Sequence, residues 1–116
     1  EFIDDMATAY YASDLVICRS GATTIAELTA IGKPSILLPY PFSANNHQEY
    51  NANMMAQCGA SIMIKDNELE VKLMDNIKKL IQDEALLITM SKNAKQLSKV
   101  NSAELTARAI MNLYSV

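Results

Sequence analysis

The stretch Leu15–Leu28, LVICRSGATTIAEL, constrains this chain more than any other. Leu15-Val16-Ile17-Cys18 is a short apolar run, β-branched in part, of the kind that forms a fully buried strand. Gly21 permits a tight turn, and from Thr24 the spacing of Ile25, Leu28 and Ile31 becomes helical. Between strand and helix lies Arg19-Ser20-Gly21-Ala22-Thr23-Thr24, made of small residues, hydroxyls and a cation. A strand that ends in small residues and opens a helix presents free backbone N–H groups and the positive end of the helix dipole. That is an anion site, and phosphate is its usual guest. The same residues support a plainer reading. Thr24-x-x-Glu27 fits a capping box that needs no ligand, and on spacing alone the cap is the better fit.

The rest of the chain repeats the alternation. Phe2-Ile3 reads as the end of an apolar strand, and Asp4 or Asp5 can cap a short helix through Met6-Ala7-Tyr10-Tyr11. The helix after Leu15–Cys18 runs from Thr24 to about Ile31 and is stopped by Gly32-Lys33-Pro34. Ser35–Leu38 is a second short strand, followed by Pro39-Tyr40-Pro41 and a polar loop, Phe42–Asn46. His47-Gln48 open another helix that ends at Gly59, and Ala60–Ile64 is a third strand. Beyond Lys65 the pattern is helical only. Asn67-x-x-Glu70 reads as a cap, Leu69, Leu73, Ile77, Leu80 and Ile81 form one apolar stripe, and Leu87, Met90, Ala94 and Leu97 another. A last helix is expected from Asn101 to about Tyr114. Strands alternating with helices predict an α/β fold, a Rossmann-like parallel sheet ending in several helices. In such sheets ligands lie beyond the carboxyl ends of the strands, where the loops after Ile3, Cys18 and Leu38 fall.

Composition narrows the function. The chain has 116 residues, 50% hydrophobic and 20% charged, with a net charge of −3, so no basic footprint for nucleic acid is present. No apolar stretch approaches the roughly 18 residues of a spanning helix. His47 is the single histidine, and Cys18 and Cys58 form no motif, so neither a metal site nor a cofactor is expected. Both cysteines read as reduced core thiols.

Three blocks carry a resemblance: Phe2-Ile3-Asp4-Asp5-Met6, then Cys18-Arg19-Ser20-Gly21-Ala22-Thr23-Thr24-Ile25-Ala26-Glu27, then His47-Gln48-x-x-Asn51-Ala52. Together they resemble the C-terminal part of the bacterial lipid II synthases, N-acetylglucosaminyltransferases of the two-domain GT-B type, over essentially the whole chain. The resemblance implies inverting transfer of N-acetylglucosamine from UDP-N-acetylglucosamine to the lipid-linked muramyl-pentapeptide acceptor (lipid I to lipid II) in peptidoglycan synthesis. It implies that Ile3 meets the uracil edge, with Met6 close to the base. Ala22, Thr23 and Thr24 would meet the diphosphate, with Ile25 and Ala26 in the same donor-contacting turn. Glu27 would accept both ribose hydroxyls, and Gln48, with His47 and Asn51, would bind the sugar. Thr23 stands where the family often has a larger apolar residue.

The resemblance further implies that residues 1–116 are an incomplete donor-binding domain, inactive alone. The N-terminal acceptor domain, the general base and the patch for peripheral association with the cytoplasmic face of the plasma membrane would lie outside it. Two alternatives stand beside this expectation. One is another GT-B transferase using the same donor, of the dolichol-pathway type, and the other is a non-catalytic nucleotide-binding module.

Overall fold

The computed structural model describes residues 14–98. The strand expected at Ile3, the short helix after it and the last helix from Asn101 lie outside the described residues, as do Ile3 and Met6. Within them the α/β alternation holds: β1 (Val16–Cys18), α1 (Ala22–Ile31), β2 (Ser35–Leu37), α2 (His47–Gln57), β3 (Ser61–Met63) and α3 (Leu69–Ile81) follow in order. A further helix, α4, covers residues 84–98. Single turns of 3-10 helix, Ala44–Asn46 and Asp66–Glu68, lead into α2 and α3. The strands form one parallel sheet in the order β1-β2-β3, with Ile17 level with Ile36 and Ile36 level with Ile62.

A parallel sheet is stable when both faces are covered, and successive side chains along each strand point to opposite faces. Val16, Cys18, Leu37 and Met63 pack with Ile25 and Leu28 of α1 and with Ala52 and Met55 of α2. Ile36, Ile62 and Ile64 pack on the other face with Leu73, Ile77 and Leu80 of α3 and with Leu86, Leu87 and Met90 of α4. Helix α4 then changes layer, because its Ala94 and Leu97 join the α1–α2 cluster. Ile17 shares the face of Ile36 yet stays 41% exposed, since α3 and α4 cover β2 and β3 rather than β1. Buried polarity inside the sheet is paired: Ser35 and Ser61, opposite each other at the start of β2 and β3, share a hydrogen bond of 2.6 Å between their hydroxyls.

The ends of the helices depart from the sequence expectations in two places. α1 starts at Ala22, two residues before Thr24. The expected cap at Asn67-x-x-Glu70 is replaced by Glu68, whose Oε1 accepts from the Lys65 N–H at 3.1 Å, because a 3-10 turn precedes α3. Cys58 is exposed just past α2 rather than in the core, whereas Cys18 is half-buried. Leu28 is fully buried at the centre of the α1–sheet layer. Leu28→Ala is expected to cost about 2–5 kcal/mol in denaturant unfolding, through lost burial and an unfilled cavity.

Candidate functional site

The loops leaving β1 and β2 meet beyond the carboxyl ends of the strands. Gly21 is the N-cap of α1 in extended backbone, φ −66° and ψ 158°, with no side chain capping it. The Thr24–Glu27 capping box is therefore absent: Thr24 already sits inside the first turn, and the first intrahelical bond runs from the Ile25 N–H to the Gly21 carbonyl at 3.0 Å. Amide groups of Ala22, Thr23 and Thr24 precede any intrahelical acceptor and stand at the positive end of the helix. Helix α2 opens similarly. Its N-cap Asn46 has φ 57°, next to Asn45 at φ 51°, and its own side chain makes no cap, but the preceding turn supplies acceptors: the His47 N–H donates to the Ala44 carbonyl and the Gln48 N–H to Ser43 Oγ at 3.2 Å. Asparagine tolerates this left-handed backbone better than other non-glycine residues, which explains the Asn-Asn pair at the turn. Away from this end of the molecule, α4 is capped conventionally, by Asp83 Oδ1 accepting from the Leu86 N–H at 3.0 Å.

Ser20 clasps the two loops together. It is fully buried, and its hydroxyl donates to the Gln48 carbonyl at 2.6 Å, while Asn51 Nδ2 donates to the Ser20 carbonyl at 3.1 Å. The Gln48 side chain is oriented by the backbone, since its Oε1 accepts from the Tyr40 N–H at 2.9 Å. Its Nε2 consequently faces Gly21, where a Cβ would stand 3.8 Å away. Between the two helix starts lies a cavity of about 460 Å³ lined by Gly21, Ala22, Ser43, Ala44, His47, Gln48, Tyr50 and Asn51. Its walls offer backbone and side-chain amides and no carboxylate, which suits an anion carrying a neutral polar group.

Four of the residues expected from the sequence, Ala22, His47, Gln48 and Asn51, thus share one cavity. Thr23 and Thr24 follow in the first turn of α1, outside the cavity wall. Glu27 lies one turn further on, half-buried, close enough to β1 for its charge to act on Cys18. Ile25 has neither end free for a ligand: its side chain is in the core and its N–H is bound to Gly21. Ala26 is exposed, and its carbonyl accepts from Thr29 Oγ1 at 3.1 Å. Ser43, Ala44 and Tyr50 were not singled out, although the polar loop after the second strand was the signal for the first two. Nor does Arg19 turn to the cavity. Its guanidinium donates to the Leu38 and Pro39 carbonyls at 3.1 and 3.3 Å and to Asp66 at 2.8 Å, and it stacks over Tyr40, so it ties the strand ends together.

Burial pushes the Cys18 thiol up from 9.0 to about 11, and the nearby Glu27 charge adds to the shift. At pH 8 a thiol reagent is expected to label exposed Cys58 and to spare Cys18 until the protein unfolds. The unfolded thiol loses its proton near 9.0 and the folded one near 11, so stability should fall as pH rises through that window, which thermal melts at pH 8 to 11 would read. Ser20→Ala is expected to lower stability by about 1 kcal/mol and to speed hydrogen exchange at Gly21 to Thr24, as the clasp is lost.

Comparison with known proteins agrees with this geometry. The model of the glycosyltransferase family 28 C-terminal domain matches residues 1–106. A relative from Lawsonia intracellularis, named UDP-N-acetylglucosamine--N-acetylmuramyl-(pentapeptide) pyrophosphoryl-undecaprenol N-acetylglucosamine transferase, is 46% identical over 98% of this chain and 32% of its own length. One from Thermoanaerobacter with the same name is 42% identical over 97% of this chain and 31% of its own. The crystal structure of Acinetobacter baumannii MurG superposes with a TM-score of 0.74 at 33% identity, over 82% of this chain and 27% of that one. The chain spans about a third of the length of these relatives. With an α/β sheet, an uncapped helix start at the strand ends and a family model matched over most of its length, the chain belongs to the family of glycosyltransferase family 28 C-terminal domains.

Proposed function

We propose that this chain supplies part of the donor site of an enzyme that moves N-acetylglucosamine from UDP-N-acetylglucosamine to a lipid-linked muramyl-pentapeptide acceptor. The observation that carries the proposal is the uncapped start of α1 facing the start of α2 across one cavity lined by amides. The names of relatives 42–46% identical to the chain support the choice of donor and of a bacterial acceptor over a dolichol-linked one.

In this reading the diphosphate lies against the N–H groups of Ala22, Thr23 and Thr24. These donors point along the helix dipole at the group on which negative charge grows as UDP leaves, and they need no reorganisation when it does. Glu27 lies about 7.5 Å beyond Ala22 along α1 at 1.5 Å rise per residue, and its paired acceptor oxygens suit the two ribose hydroxyls. Gln48, His47 and Asn51 take the sugar, where neutral amides donate and accept without bringing a charge to a neutral ring. Ile3 and Met6 take the uracil. The acceptor hydroxyl needs a general base, which the resemblance places outside residues 1–116. The acceptor's lipid places the enzyme peripherally at the cytoplasmic face of the bacterial plasma membrane, through surfaces outside this chain.

Titration calorimetry of the intact enzyme with UDP-N-acetylglucosamine tests the proposal, with wild type beside Glu27→Gln. Wild type should bind saturably and the variant about tenfold to a hundredfold more weakly, the value of a charge-assisted hydrogen bond of about 1.5–3 kcal/mol. Equal binding would remove Glu27 from the ribose site, and no binding by either protein would overturn the donor assignment.

A further inference from the structure

The far ends of α1 and α2 are held by one element. Each helix is followed by a glycine in the left-handed region, Gly32 at φ 76° and Gly59 at φ 75°. The Ser91 hydroxyl donates to the Gly32 carbonyl at 2.5 Å, and Asn93 Nδ2 donates to the Gly59 carbonyl at 3.1 Å. Contact at both glycines is close as well as polar. A Cβ at position 32 would stand 2.5 Å from Lys95 Cγ, and one at position 59 would stand 2.6 Å from Asn93 Nδ2.

Helix geometry explains how one segment reaches both ends. At 3.6 residues per turn, residues 91 and 95 project from the same side of α4, while residue 93 projects from about the opposite side. Ser91 and Lys95 accordingly meet the end of α1, and Asn93 meets the end of α2. Ala94 between them is fully buried in the cluster that holds Leu28 and Met55. Helix α4 therefore lies as a strap across the two helices at the end remote from the cavity.

From this geometry we infer that Ser91 and Asn93 are positioning residues for the cavity, acting through α1 and α2. A helix is stiff along its axis, so a shift of the α1 C-cap reaches Ala22, about 15 Å away at 1.5 Å per residue, with little loss. At the near end the Ser20 clasp joins the same two helices. Held at both ends, α1 and α2 keep the first-turn amides of one at a set distance from Gln48 of the other. Ligand contacts made by preorganised donors lose strength steeply with misplacement on the order of 1 Å.

The inference rests on the donor-site reading, and its test separates the two. In the intact enzyme, Ser91→Ala, Asn93→Ala and the double variant would be assayed for KM and kcat with UDP-N-acetylglucosamine and with the lipid-linked acceptor. The double variant should raise the donor KM about fivefold or more, with kcat per folded enzyme unchanged or lowered and the acceptor KM unchanged. Ser91→Thr, which keeps the hydroxyl, should retain the wild-type donor KM. A merely structural role would lower kcat through loss of folded enzyme and leave the donor KM alone, and that result overturns the inference, as does an unchanged donor KM with unchanged kcat. Should the double variant fail to fold, the single variants are read by the same criteria. A wild-type enzyme that does not saturate with UDP-N-acetylglucosamine overturns the donor-site reading and the strap's role with it, whereas a saturable wild type beside unaltered variants overturns the strap alone.

Discussion

Everything in this fold follows from the need to cover a parallel sheet on both faces. Each strand is only three residues long, so few side chains are available to anchor a layer. Val16, Cys18 and Leu37 face one way and Ile36 and Ile62 the other; α1 and α2 are recruited to the first set, α3 to the second and α4 to both. With both faces occupied, the ends of the sheet are where backbone groups remain open to a ligand. At one end the loops are polar and α1 starts uncapped. At the other, left-handed glycines and α4 close the structure.

The same division governs which polar groups are spent on the fold. Arg19 looks at first like the natural cation for a phosphate, but its Nη1 is committed to two carbonyls and to Asp66, and its side chain does not line the cavity. Asn51 Nδ2 and Gln48 Oε1 are likewise engaged with backbone. Among the described residues, the cavity keeps for a ligand backbone N–H groups, the outward Gln48 Nε2, the His47 ring and Asn51 Oδ1. An anion held by dipoles rather than by a full charge can leave readily, which suits the proposed release of a nucleoside diphosphate.

Much of this was legible in the residues. The runs Leu15–Cys18, Ser35–Leu38 and Ala60–Ile64 are apolar, short and bounded by Gly, Pro and polar residues, so the strands and their parallel pairing followed from pattern alone, whereas the order β1-β2-β3 is seen only in the structure. Gly32 and Gly59 marked helix ends because left-handed caps favour that residue. The start of α1 was not legible. Thr24 and Glu27 sit at capping-box spacing, and nothing local distinguishes a cap from a pair already inside the helix. Gly21 decided it by offering its carbonyl to Ile25. The grouping of Ser20 with Gln48 and of Ser91 with Gly32 was invisible for another reason, since those partners are 28 and 59 residues apart and their pairing is a product of tertiary packing.

The shared hydrogen bond between Ser35 and Ser61 also limits how this chain can change over generations. Each hydroxyl is buried and has the other as its partner. Losing one strands its neighbour at a cost of about 1–3 kcal/mol, while losing both leaves two small apolar residues that fit the same space. The two codons are therefore bound in inheritance. A lineage that drifts one substitution at a time must cross a weaker intermediate to leave the pair, so packing alone ties each serine to the other.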